Sequence, residues 1–259
     1  MRIVLSELWR SRALIDALVR RHIATRYRGS LLGFLWSFLN PLCLMAVYTL
    51  VFSHYMRVNG GPHYHLIVFA GLLPWIWSTS ALTEGTSSLV SSGHLITKSL
   101  FPAHVLPFVS VLASMIHFML ALPMLWFFMA LAGVPLAFTW LILPLVIALH
   151  GAFLTGCVLA LSSLNVFYRD VQHILGNILT FVFFLCPVVY PRANIPSRAR
   201  FWIELNPLAL LTEFYQMVLI EGVMPPLSQL AYLALWACGA LAVGIWIYQR
   251  NREQFAEAL

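Results

Sequence analysis

The sequence predicts an all-α integral membrane protein with six transmembrane helices, an N-terminal interfacial amphipathic helix, and an outer re-entrant segment between helices five and six. Three observations predict it. The chain of 259 residues is 61% hydrophobic and only 9% charged, whereas a soluble domain carries roughly 25% charged residues. Long stretches contain no Asp, Glu, Lys or Arg, and a membrane-spanning helix needs about 20 mostly apolar residues. The 15 basic residues, all arginine except Lys98, flank those stretches, a pattern of membrane topology rather than of nucleic-acid binding.

Residues 1–28 read as a cytoplasmic, interfacial segment. Val4, Leu8, Ile15, Leu18 and Val19 recur at near-helical spacing with arginines between them, as in a basic helix lying in the inner interface; a solvated tail is the alternative. The segment is not a cleavable signal, because its arginines leave no apolar core of the usual length. The membrane domain is then 29–249. Its first span lies in Gly29–Met56 and its second in Val58–Thr83. Ser99–Tyr168 is 70 residues without a formal charge, enough for two spans joined by a hairpin at Ala132-Gly133-Val134-Pro135. Val171–Pro191 is a short fifth span and Gly222–Gln249 the sixth, with 250–259 as a cytoplasmic tail.

An even number of spans puts both termini on one side. With the N-terminus inside, eleven basic residues are cytoplasmic, and only Arg57, Arg192, Arg198 and Arg200 are outside, as the excess of Lys and Arg in cytoplasmic loops requires. Arg192 to Glu221 mixes apolar groups with charges around Asn206-Pro207. It reads as a short helix or re-entrant hairpin that needs protein around it, since irregular backbone cannot face lipid.

Little of the chain suggests catalysis. Cys43, Cys157, Cys186 and Cys238 are isolated in apolar sequence and read as apolar fillers. His63-Tyr64-His65 lacks the accompanying Cys, Asp or Glu of a metal site, so neither a metal nor a catalytic residue is expected. His117 and His150 fall within spans as hydrogen-bonded packing residues. Glu84 either sits at the inner interface or lines a water-filled path. Lys98 follows His94-Leu95-Ile96-Thr97, without the glycines of a P-loop, so any ATP hydrolysis belongs to another subunit. Trp75, Trp77 and the Trp126-Phe127-Phe128 group read as an aromatic belt or as stacking surfaces for sugar rings.

Arg21 to Trp36, followed by Asn40-Pro41 and Tyr48-Thr49-Leu50-Val51-Phe52, resembles the start of ABC-2 type permeases that export O-antigen, capsule or teichoic-acid polymers. Lys98-Ser99-Leu100-Phe101-Pro102-Ala103 resembles that family's segment between spans two and three, with Ala103-His104 where an arginine is common. Asn165 to Val171 resembles the segment between spans four and five, and Asn206-Pro207 the outer re-entrant region. The resemblance implies a homodimer in the bacterial cytoplasmic (inner) membrane, each copy paired with a separate ABC ATPase subunit that uses ATP and Mg. This chain itself would bind no cofactor. It also implies a path for a lipid-linked glycan, O-antigen first among the cargoes, among membrane lipids and without nucleic acid.

Within that frame Lys98, Phe101, Pro102, Tyr168, Arg169 and Asp170 are candidates for coupling to the ATPase. Arg169 could equally be a topology anchor, and Asp170 a helix N-cap. Arg26, Arg28, Trp36, Asn40, Glu84, Trp75 and Trp77 are candidates for the substrate pathway or for contact with lipid phosphate, with simple anchoring an equal reading for the arginines. Pro41 removes a helix hydrogen bond, and Asn40 could satisfy the freed carbonyl or bond a neighbouring helix. That would make either a flexible point or a static kink. The rival readings are export of a drug or lipid on the same scaffold, a membrane-embedded transferase, and a passive channel.

Overall fold

The computed structural model describes residues 10–58, 61, 63–98, 101–135 and 137–259. Among these there is no strand. The helices are α1 (Arg12–Tyr27), α2 (Trp36–Thr49), α3 (Tyr64–Ser91), α4 (Gly93–Lys98), α5 (Val105–Leu131), α6 (Leu143–Phe167), α7 (Asp170–Leu185), α8 (Ser197–Leu205), α9 (Pro207–Gln216), α10 (Leu227–Asn251) and α11 (Phe255–Ala258), the long ones α2, α3, α5, α6 and α10 falling in the apolar runs.

Five helical stretches are long and apolar enough to cross a membrane: Gly33–Tyr55, Tyr64–Ser91, Val105–Leu131, Phe138–Phe167 and Leu227–Gln254. The chain is thus a multi-pass membrane protein. The expected fifth span is the one that falls short. α7 has 16 residues, about 24 Å at 1.5 Å per residue, against a hydrocarbon core of about 30 Å. Cys186 ends it in extended backbone just before Pro187.

The hairpin at 132–135 forms where expected: α5 ends at Leu131, and Gly133 takes a left-handed φ of +72°, open to glycine at little cost. The second span runs past Glu84 to Ser91, because one carboxylate does not interrupt a helix whose other residues favour it. Its local environment holds the charge instead, as described below.

α3, α5, α6 and α10 make the core. Gly156 of α6 and Gly244 of α10 allow the closest approach: a Cβ on Gly156 would lie 2.2 Å from the Ala240 carbonyl carbon, and one on Gly244 would lie 2.1 Å from the Gly156 carbonyl oxygen. Small residues at such crossings let membrane helices pack backbone to backbone. α9 is held inside this bundle. Asn206 caps it by accepting from Leu208 N–H at 3.0 Å, and Pro207 occupies the first turn, where its missing N–H costs nothing. Ala209 to Gln216 are buried. Gln216 donates to the Ile67 and Pro187 carbonyls at 3.3 and 3.0 Å. Arg192 reaches Glu213 at 2.8 Å and Glu204 at 2.6 Å. α9 is therefore surrounded by protein.

The described part of the N-terminal segment is a helix packed on the bundle. Ile15 and Val19 are buried against Val105 and Val109 of α5; Val4 and Leu8 lie outside the described residues. The C-terminal residues also fold back, with Phe255 of α11 1% exposed beneath the loops.

Candidate functional site

The site lies between α1, α2, α3 and α5. α1 brings His22 and Arg26 to Glu84 of α3. The Glu84 carboxylate is 2.9 Å from His22 Nε2 and 3.3 Å from Arg26 Nη1. Each side chain is about one-third exposed, so the cluster sits at a wetted boundary rather than in the dry core. The two expectations for Glu84 and Arg26 thus meet in a single ion cluster. His22 was not among the expected site residues; pairing across 62 positions leaves no local mark in a sequence.

Arg26 borders two cavities. One, of about 480 Å³, has mixed walls, with Arg21, His22, Glu84, Ser88, Ser91 and His94 beside Leu18, Leu95, Leu106 and Val109. The other, of about 270 Å³, is enclosed by Trp36, Ser37, Asn40, Pro41, Ser80 and His117, with Trp77 at its edge. Ser37 Oγ and His117 Nδ1 approach to 3.4 Å there. A third cavity of about 500 Å³ continues on the other side of Asn40, between Tyr48, Trp75, Thr79, Thr83 and Phe183.

Hydroxyls of α3 line these spaces: Ser88 and Ser91 the first, Ser80 the second and third, and Thr79 and Thr83 the third. Thr79, Thr83 and Ser87 recur every fourth residue, and each hydroxyl donates to its own helix, from Thr79 to the Trp75 carbonyl at 3.1 Å and from Thr83 to Thr79 at 2.7 Å. Back-bonding of this kind satisfies the proton and leaves oxygen lone pairs of Thr79 and Thr83 for the third cavity. The four-residue spacing is visible in the sequence but was not singled out.

The expected pathway residues therefore separate. Arg26, Trp36, Asn40 and Glu84 line these neighbouring cavities. Asn40 is exposed and its side chain hydrogen-bonds no described residue, so it neither caps the carbonyl freed by Pro41 nor ties two helices. α2 itself runs unbroken through Pro41, and the departure from α geometry comes later, in a π-helical stretch at Leu50–Tyr55. Trp75 packs on Phe183, ring centroids 5.4 Å apart, at the rim of the third cavity.

Trp77 is 1% exposed, stacks on Phe118 at 5.2 Å and donates to the Val111 carbonyl at 3.3 Å; packing holds it. Beside it His150 completes a buried relay. Ser78 donates to the Pro74 carbonyl at 2.8 Å, His150 Nε2 lies 2.8 Å from Ser78 Oγ, and Tyr215 Oη lies 3.3 Å from Nδ1. A neutral imidazole protonated on Nε2 satisfies all three groups. Arg28 is exposed on the connection to α2, followed by Gly29 at φ +83°.

The coupling candidates gather at the same end of the core. Phe101, Ile96 and Phe167 pack on an apolar cluster with Leu106, Val166, Tyr248 and Phe255. The two loops and the folded-back C-terminus thus share one base. Lys98 ends α4 and Pro102 follows Phe101. Tyr168 is 67% exposed and closes α6, while Arg169 and Asp170 are exposed at the start of α7. Arg169, not Asp170, occupies the cap position. Asp170 sits in the first turn, where a carboxylate complements the helix dipole. Ser99 and Leu100 lie outside the described residues.

The family model for ABC-2 type transporters matches residues 13–220. The chain belongs to the ABC-2 type transporter family. Among relatives, this ABC-2 protein is 39% identical over 258 residues to the O-antigen export system permease protein RfbA of Myxococcus xanthus, covering 98% of both chains. It is 28% identical to a protein of the same name from Klebsiella pneumoniae, covering 95% of both. It is 22% identical to the polysialic acid transport protein KpsM of Escherichia coli, covering 93% of both.

Proposed function

We propose that this chain is the membrane (permease) subunit of an ATP-driven ABC exporter that moves a lipid-linked polysaccharide, with O-antigen the best-supported cargo, across the bacterial inner membrane. The observation that carries the proposal is the end-to-end similarity to the O-antigen permease RfbA of Myxococcus xanthus. The cavities bordered by Arg26 and lined by Trp36, Asn40 and the α3 hydroxyls agree with it. They offer cationic, aromatic and hydroxyl surfaces, which suit a phosphate-bearing glycan better than a wholly apolar drug.

In this reading α7 is a sixth, short crossing, α8 and α9 form the outer re-entrant segment, and both termini are cytoplasmic. Two copies assemble around the cargo path, and each binds a separate ATPase subunit that uses ATP and Mg. The shared base under Phe101 and Phe167 supports force transfer at that end. Arg26 and Arg28 contact the diphosphate of the lipid carrier.

Deleting the gene in its own host tests the function. Surface glycan and lipid-linked intermediate are measured together. Loss of polymer at the surface with accumulation inside is the expected result. An unchanged coat without accumulation would move the protein to drug or lipid export.

A further inference from the structure

We infer that Glu84 is a resident counter-ion, which the diphosphate of the cargo's lipid carrier must displace from Arg26 to enter the bundle. The inference rests on the reading of Arg26 as a phosphate contact and adds the element that controls it. An arginine beside membrane-embedded space would otherwise attract any anion within reach. Here its charge is already answered by Glu84 at 3.3 Å, and the same carboxylate holds His22 at 2.9 Å.

Arg26 lines both the 480 Å³ cavity, which His22 and Glu84 also line, and the 270 Å³ inner cavity, so the ion cluster stands at the boundary between them. A diphosphate presents more negative charge and more acceptor oxygens than one carboxylate, and an arginine fork engages it in two directions. Exchange of Glu84 for diphosphate at both Arg26 and His22, the two α1 groups it holds, would release α1 from α3. α1 would then be held by its apolar seam, Ile15 and Val19 on Val105 and Val109. The pair thus acts as a selective latch: a weak anion leaves it shut, and a diphosphate opens it.

The test uses the purified full chain, as wild type, Glu84→Gln and Arg26→Gln, in nanodiscs of zwitterionic lipid. Each is titrated with a long-chain polyprenyl diphosphate and, separately, with phosphatidylglycerol. Glu84→Gln should bind the diphosphate roughly tenfold tighter, an ordinary size for coupling between two ligands of one group, and Arg26→Gln should lose it. Unchanged or weaker binding by Glu84→Gln, with loss in Arg26→Gln, overturns the exchange while leaving Arg26 a phosphate contact. Wild-type binding by Arg26→Gln overturns that underlying reading as well. Equal tightening toward phosphatidylglycerol overturns selectivity for the carrier.

A measurement on wild type keeps the test decisive if Glu84→Gln does not fold. Hydrogen–deuterium exchange across 12–27 should accelerate when polyprenyl diphosphate is added. Exchange that is unchanged or slower overturns the latch.

Discussion

Two sides of the molecule are built to different standards. In α3, 72% of the apolar stretch is buried, and in α5 61%; in the stretch Gly33–Tyr55 around α2 only 6% is. The α3, α5, α6 and α10 side is locked by backbone contact at Gly156 and Gly244 and by the Ser78–His150–Tyr215 relay. The α2 and α7 side leaves Leu35, Trp36, Val47, Ile174, Ile178 and Phe181 outward. π-helical turns occur on both sides, at Leu50–Tyr55 after α2 and at Met217–Glu221 after α9. The two cavities that share Asn40 lie where the two sides meet. The contrast teaches that the closed side fixes the fold of one copy. The open side has apolar surface to place against lipid or a second copy, and room to move without unfolding the rest.

The largest effect should come from the crossing. Gly156→Val puts side-chain atoms where the α10 backbone stands, and backbone cannot rotate away. The cost should reach or exceed the ~1–3 kcal/mol of ordinary overpacking. Loss of monodisperse protein in size-exclusion chromatography would register it. Normal yield and an unchanged melting temperature would break the claim that this side is rigid. Next comes Arg192→Gln, which leaves Glu213, only 7% exposed, without its cation. Breaking a fully buried pair costs ~3–5 kcal/mol. Arg192 is 41% exposed and water screens part of the interaction, so about 2 kcal/mol is expected, read as a lower thermal midpoint. Restoration by Glu213→Gln in the same chain would tie the loss to the orphaned carboxylate.

The same contrast explains what the sequence displayed. Helix existence follows from charge-free runs and one hairpin glycine, so the closed side was legible almost throughout. Asn206-Pro207 announced the capped start of α9, but not that Gln216 would reach two carbonyls across the bundle. The site was legible as a roster, not as an arrangement. Arg26, Trp36, Asn40 and Glu84 were all expected, yet the pairing of Glu84 with α1 depends on how a surface helix docks. Trp75 and Trp77 are two residues apart and point in different directions on a helix, one to a cavity rim and one to the core. Pro41 misdirects: a proline marks where a helix loses a bond, while the change in winding falls at Leu50–Tyr55.

Asp170→Arg tests the open side at the start of α7. Neither Arg169 nor Asp170 makes an ion pair with a described residue, so the charge is available to another chain. Losing a carboxylate from the first turn of α7 costs about 0.3–1 kcal/mol through the helix dipole. Asp170→Asn removes that term too. If Asp170 meets the ATPase, Arg should reduce its co-purification well beyond Asn, at similar thermal midpoints. Equal recovery with both variants would leave Asp170 only a helix residue.

The smallest effect on the single copy is expected where the surface is most open. Ile174, Ile178 and Phe181 are 55%, 51% and 68% exposed and follow one face of α7 at spacings of four and three residues. Trimming Ile178 and Phe181 to alanine removes little buried contact, so the melting temperature of the protomer should hold within the ±0.5 kcal/mol of ordinary surface changes. If a second copy covers this face, the same pair of changes should shift mass-photometry populations in detergent from dimer to monomer. If lipid covers it, the populations should not move, because lipid tails accept alanine as readily as phenylalanine. Should the melting temperature fall while the populations stay fixed, α7 would belong to the closed side, and the division drawn between the two halves would have to be redrawn along α2 alone.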